Sequence, residues 1–252
     1  MSAVGLKVGV ISLGMSCQSS AQIRAHVPLL SRLTGDDTLR KSAMPFDNII
    51  CRPDSAASML QTDTFYPDDP NALLESEGAR WQDFGVYFWH EYRLHKHHVL
   101  EYITGRLNKR RAYRELSGKY AHLAGKFRQA RQLERLVFVI SNSQNNLSLY
   151  SAEPGIDPAL TAAGVELLCD ACDAYVGRPC EYVLTTYEAR LTGEVRRKHL
   201  TVFKLTPDAS DWEGDPAQWR DVFEQYFAFQ ADFLAPGVRA RDASGRAGKK
   251  SC

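Results

Sequence analysis

Val8 to Leu13 is a short apolar run, rich in β-branched residues, that stops at Gly14. It is too short for a helix and is bounded by a turn residue, so it reads as a buried strand that turns at once. A buried strand leading directly into a helix constrains the fold strongly, because such strands belong to sheets covered on both faces. Ser16 then caps a helix whose first residues are Cys17, Gln18 and Ser19, with Ala21, Ile23 and Val27 on its apolar face. Cys17 therefore falls in the first turn, where unpaired N–H groups and the positive end of the helix dipole favour a thiolate and lower its pKa. The plainer role of a lone cysteine is that of a small buried hydrophobe.

The rest of the chain repeats the strand-helix alternation. Pro28 kinks or ends the first helix, which otherwise runs to about Arg32, and Pro53 to Leu60 reads as a second helix. Gly85 to Tyr92 is an aromatic, β-branched strand ending in His90 and Glu91. Between residues 99 and 134 one or two helices carry Leu116, Tyr120, Leu123 and Phe127 as an apolar stripe opposite a row of cations. Leu136 to Ile140 is the clearest buried strand, followed by the polar run Ser141 to Asn146. An amphipathic helix over 158–176, strands over 180–187 and 200–205, and a helix over 219–234 complete the order. The expectation is a single α/β domain over 1–236, a mostly parallel sheet with helices on both faces. Residues 237–252, rich in Gly, Ser, Arg and Lys without periodicity, read as a disordered basic tail.

Charge and cysteine usage narrow the function classes. A formal net charge of +1 gives no drive toward nucleic acid or a membrane surface, and the cationic helix lacks an aromatic stacking platform. The six cysteines show no disulfide-framework spacing, and the first apolar run is too short for a signal or membrane segment, so a reducing cytoplasmic setting is expected. Cys169-x-x-Cys172 lies inside a helical pattern and reads as core. His95, His97 and His98 read as a basic loop, since nothing close by completes a tetrahedral metal set. No metal and no cofactor are expected.

Three further residues carry chemistry. Asp47 sits between the apolar anchors Phe46, Ile49 and Ile50, and a carboxylate there needs partners or serves as a turn cap. His90 ends a strand, where an imidazole can face a pocket lined by loops, and Asn142 follows a buried strand. Open α/β sheets gather their sites at the carboxyl edge, so Cys17, His90 and Asp47 are expected to converge there.

Ser12-Leu13-Gly14-Met15-Ser16-Cys17, then Ser42-Ala43-Met44-Pro45-Phe46-Asp47-Asn48, then Phe88-Trp89-His90-Glu91 resembles a family of uncharacterised, mostly bacterial proteins classed as papain-like cysteine peptidases. Its pattern is Ser-Leu-Gly-x-x-Cys, Ser-x-Pro-Phe-Asp-Trp and an aromatic strand ending His-Asp. This chain departs from it by one extra residue before the proline, by Asn48 and by Glu91, and the likeness covers roughly the first 150 residues. The resemblance implies a thiol-dependent hydrolase or acyl-transfer enzyme acting on a peptide or other carbonyl-containing substrate. His90 would withdraw the Cys17 proton, the thiolate would attack a carbonyl, and Asp47 or Asn142 would orient the imidazole. The rival classes are a phosphate- or sugar-nucleotide-binding module or transferase using the Gly14 turn and helix start, and a catalytically inactive interaction domain. The chain contains no dinucleotide, Walker-type or Asp-x-Asp motif.

Overall fold

The computed structural model of the chain describes residues 6–75, 79–88, 109–145, 147, 159–207 and 212–234. The apolar runs form strands β1 (Val8–Ser12), β5 (Arg135–Ser141), β7 (Glu181–Thr186) and β9 (Leu200–Lys204), which pair in that order. All three pairings are parallel, with Val8 opposite Arg135, Val137 opposite Glu181 and Tyr182 opposite Leu200. Parallel neighbours need crossovers; helices lie in those from β1 to β5 and from β5 to β7, whereas the link from β7 to β9 holds no α-helix.

Alternation along the strands divides the interior into two apolar layers. Val8, Val10, Val137, Val139 and Val183 pack with Ile23 of α1 (Gln18–Ala25), Leu29 and Leu30 of α2 (Val27–Thr34), and Trp219, Val222 and Phe223 of α6 (Pro216–Leu234). On the other side, Phe138, Ile140, Tyr182 and Leu184 pack with α3 (Pro53–Gln61), α4 (Lys109–Ala130) and α5 (Ala162–Val176). The expected α/β architecture, a mostly parallel sheet covered on both faces, is what the structure has. No helix among the described residues is long and apolar enough to cross a membrane.

Two expectations change. The first helix is two helices, broken at His26, and Pro28 falls in the first turn of the second, where its missing N–H costs nothing. The strand leading to His90 does not join the parallel sheet. Its described part, β4 (Val86–Phe88), pairs antiparallel with β3 (Ala79–Trp81), which pairs with β2 (Leu73–Glu75). The link from Trp81 to Val86 is a tight turn through Gly85 at φ 63°, enough for an antiparallel neighbour and far too short for a parallel crossover. A pair of two-residue strands, β6 (Leu160–Thr161) and β8 (Leu191–Thr192), lies apart from both sheets. The basic tail after residue 236 lies outside the described residues.

Candidate functional site

The carboxyl edge of the parallel sheet is lined by buried side chains that are polar and mostly uncharged. Ser12 ends β1, Ser141 ends β5, and Thr185 and Thr186 end β7, and all four are fully buried. Beyond β1, Gly14 at φ 82° and Met15 at φ 67° lie successively in the left-handed region, a sharp turn that redirects the chain into α1. Glycine is required at 14 for a second reason. A Cβ there would meet Cys51 Sγ at 3.1 Å.

Cys17 stands at the N-cap of α1, one residue before the position expected, and its carbonyl accepts the first helical bond, from Ala21 N at 3.0 Å. Its Sγ lies 3.8 Å from Gln144 Oε1. Burial pushes the Cys17 thiol up to about 12, its own N–H opposes this, and the Glu213 carboxylate adds to it. The lowered pKa expected from the helix terminus is therefore overturned. A helix terminus contributes about 0.3–1 kcal/mol, less than one pKa unit, whereas burial can shift a group by about 3–5 units.

Gln18 holds this edge together, and sequence reasoning missed it. Its Oε1 accepts from Ser141 Oγ at 2.9 Å and Ser143 Oγ at 2.7 Å, and its Nε2 donates to the carbonyls of Ser143 at 3.3 Å and Trp212 at 3.1 Å. Every bonding position of the amide is used, which fixes its orientation. Gln22 Nε2 donates to the carbonyls of Glu213 at 2.8 Å and Gly214 at 3.3 Å, and His26 Nε2 lies 3.2 Å from Pro216 O. Residues 18, 22 and 26 recur at i, i+4 and i+8, one stripe of the helix, and they hold the 212–216 turn. Gly214 sits against it so closely that a Cβ would come within 2.8 Å of Gln18 Nε2. The signal in the sequence is the four-residue spacing of Gln18, Gln22 and His26 on one helix.

Asp47 is 2% exposed and lies in the turn after Pro45. Its Oδ2 accepts from Met44 N at 2.9 Å and from Lys41 Nζ at 2.5 Å, while Oδ1 is buried with no hydrogen-bond partner among the described residues. Burial holds the Lys41 ammonium below its ordinary range against the pull of Asp47, and Arg24 acts in the same direction as burial.

The segments carrying the motifs pack on one another. A Cβ on Gly14 would contact Phe46 Cδ1 at 3.6 Å and Cys51 Sγ at 3.1 Å. Ile50 and Tyr87 exchange both backbone bonds, at 2.9 and 2.8 Å. His90 itself, with His95, His97 and His98, lies outside the described residues. Asn142 braces a loop, with its N donating to Thr185 O at 3.2 Å and its Nδ2 to Arg190 O at 3.4 Å. Cys169 and Cys172 are fully buried in the apolar layer beneath α5, as the helical pattern requires. No group of three or more His, Cys, Asp or Glu among the described residues could hold a metal ion.

Comparison of the chain with protein-family models, with curated proteins and with solved structures finds no match. The geometry of the site is therefore the ground for a functional reading.

Proposed function

We propose that this chain is a thiol-dependent hydrolase or acyl-transfer enzyme, papain-like in its chemistry, with Cys17 as nucleophile, His90 as base and Asp47 orienting the imidazole. One observation carries the reading: the Gly14–Cys17 turn, the Phe46–Cys51 segment and the strand leading to His90 are far apart in sequence and packed together in the fold. Counting three residues outward from the Ile50–Tyr87 bridge reaches Asp47 on one side and His90 on the other. The open Oδ1 of Asp47 is an acceptor suited to an imidazole N–H.

Because burial keeps the resting thiol neutral, its proton must leave as the new bond forms. His90 takes the Sγ proton, Sγ attacks the carbonyl carbon, and the carbonyl π electrons move onto oxygen. Backbone N–H groups at the start of α1 hold that oxyanion. His90 then returns the proton to the leaving group, which departs from a Cys17 thioester. Water, losing a proton to His90, attacks the thioester and releases the acid and the thiol. In acyl transfer an amine or hydroxyl takes the place of water.

A panel of peptidyl vinyl sulfones, with modification read cysteine by cysteine by mass spectrometry, tests this. The expected result is labelling of Cys17 well ahead of Cys51 and Cys169, slowed about 10²-fold or more by His90→Ala. Labelling of Cys17 that is indifferent to His90, or no faster than that of Cys51, would overturn it.

A further inference from the structure

Arg190 closes a short 3₁₀ turn, Glu188–Arg190, that follows β7. Its guanidinium lies over the Tyr187 ring, 4.8 Å from Cζ to the centroid, and reaches across to the loop after β5. There Nη1 donates to Asn142 O at 2.6 Å and Gln144 O at 2.7 Å, and Nη2 donates to Asn145 O at 3.4 Å. The neighbouring Glu188 is engaged elsewhere, with Lys204 at 2.6 Å. No carboxylate pairs with Arg190 among the described residues, and burial holds its guanidinium below its ordinary range against the pull of Tyr187.

A guanidinium carries five N–H donors in a rigid fork. The carbonyls occupy the Nη1 corner, and the Nε–H together with the remaining Nη2–H has no acceptor among the described residues. Those two donors form the edge that grips a carboxylate or phosphate through two parallel bonds. A loop brace alone needs only a point charge, which lysine supplies. The planar edge, fixed by the ring beneath it and the carbonyls beside it, is what arginine adds. It also lies close to the thiol, because Gln144 offers its backbone oxygen to Arg190 and its side chain to Cys17.

We infer that Arg190 is a receptor for an oxyanion, a carboxylate or phosphate group on a ligand bound at the carboxyl edge of the sheet, gripped by Nε–H and Nη2–H. The inference goes beyond the hydrolase reading and stands whether or not Cys17 is a nucleophile. For an enzyme acting at Cys17 it specifies a substrate that bears a negative charge besides the reacting carbonyl.

The test follows the arginine Nε–Hε correlations of the ¹⁵N-labelled full chain, the Arg190 peak being identified by its loss in Arg190→Lys. Should that variant fail to fold, sequential assignment of the unaltered protein identifies the same peak. Succinate and inorganic phosphate are titrated separately at constant ionic strength, against sodium chloride. The expected result is a saturable shift confined to the Arg190 peak, with succinate alone naming a carboxylate ligand and phosphate alone naming a phosphate. The same titration is expected in Cys17→Ser protein, so failure here is distinguishable from failure of the thiol chemistry. An Arg190 peak that stays in place, moves no more than the other arginines, or follows chloride equally overturns the inference.

Discussion

Cys17, at the head of α1, and Cys169, within α5, have thiols pushed up by burial to about 12 each, in opposite surroundings. Cys169 lies among Val165, Leu168 and Cys172 in an apolar layer, with the charges of Arg197 and Asp173 near enough to act on it in opposite directions. Cys17 is enclosed by buried polar residues: Gln144 beside its sulfur, and Ser16, Gln18 and Ser143 around its turn. Desolvation sets the protonation state in both places without regard to what encloses the sulfur. The difference lies in what the neighbours can do when a charge or an oxyanion forms. Amides and hydroxyls held in place can stabilise it, and packed aliphatic side chains cannot.

The largest expected effect tests the shared half of that comparison. Cys17, Cys51, Cys169 and Cys180 are each raised from an ordinary 9.0 to about 12, and Cys172 is raised as well. Between about pH 9 and 12 the unfolded chain gives up thiol protons that the folded chain keeps. Stability is thus fully present below 9 and lost as pH rises through that window. The urea midpoint should fall steeply above pH 9, and Cys17→Ser and Cys169→Ser should flatten the fall by similar amounts. Flattening by Cys169→Ser alone would mean that the two sites are not equally desolvated.

The second prediction concerns what the edge near Cys17 tolerates. Lys41→Met leaves the buried Asp47 carboxylate without its cation, and should cost about 3–5 kcal/mol in urea unfolding. Adding Asp47→Asn should recover part of that loss. A cost under about 1 kcal/mol would mean that the pair is open to water.

The smallest effect separates the two thiols directly. Cys172→Ser puts a hydroxyl into a fully buried apolar site and should cost about 1–3 kcal/mol. Cys17→Ser, with Gln144 Oε1 available as acceptor, should cost under about 1 kcal/mol. Equal costs by urea unfolding would erase the distinction between polar and apolar enclosure.

Local chemistry was enough for most of the framework. The runs at 8–12, 135–141 and 181–186 are strands because continuous apolar, β-branched segments of that length bury both faces, and α4 and α5 follow stripes of helical period. The Phe46–Asp47 block and the Gly14 turn were visible as separate features. Nothing in their spacing showed that they touch, because that contact joins segments with no common periodicity. The pairing of β4 was misread for a related reason: an aromatic, β-branched strand looks the same in either kind of sheet, and the turn through Gly85 decided which.

The sequence by itself determined where the four strands of the parallel sheet and most of the helices covering it form, that this sheet is mostly parallel and covered on both faces, and that Cys17 follows a strand-to-helix turn. These rest on neighbours a few residues apart, whose spacing is written in the chain. Only the tertiary structure decided the protonation of Cys17, the four bonds of Gln18, the pairing of Lys41 with Asp47 and the open edge of Arg190. Desolvation and hydrogen-bond valence depend on every atom that folding brings near a group, and most of those atoms come from residues far away along the chain.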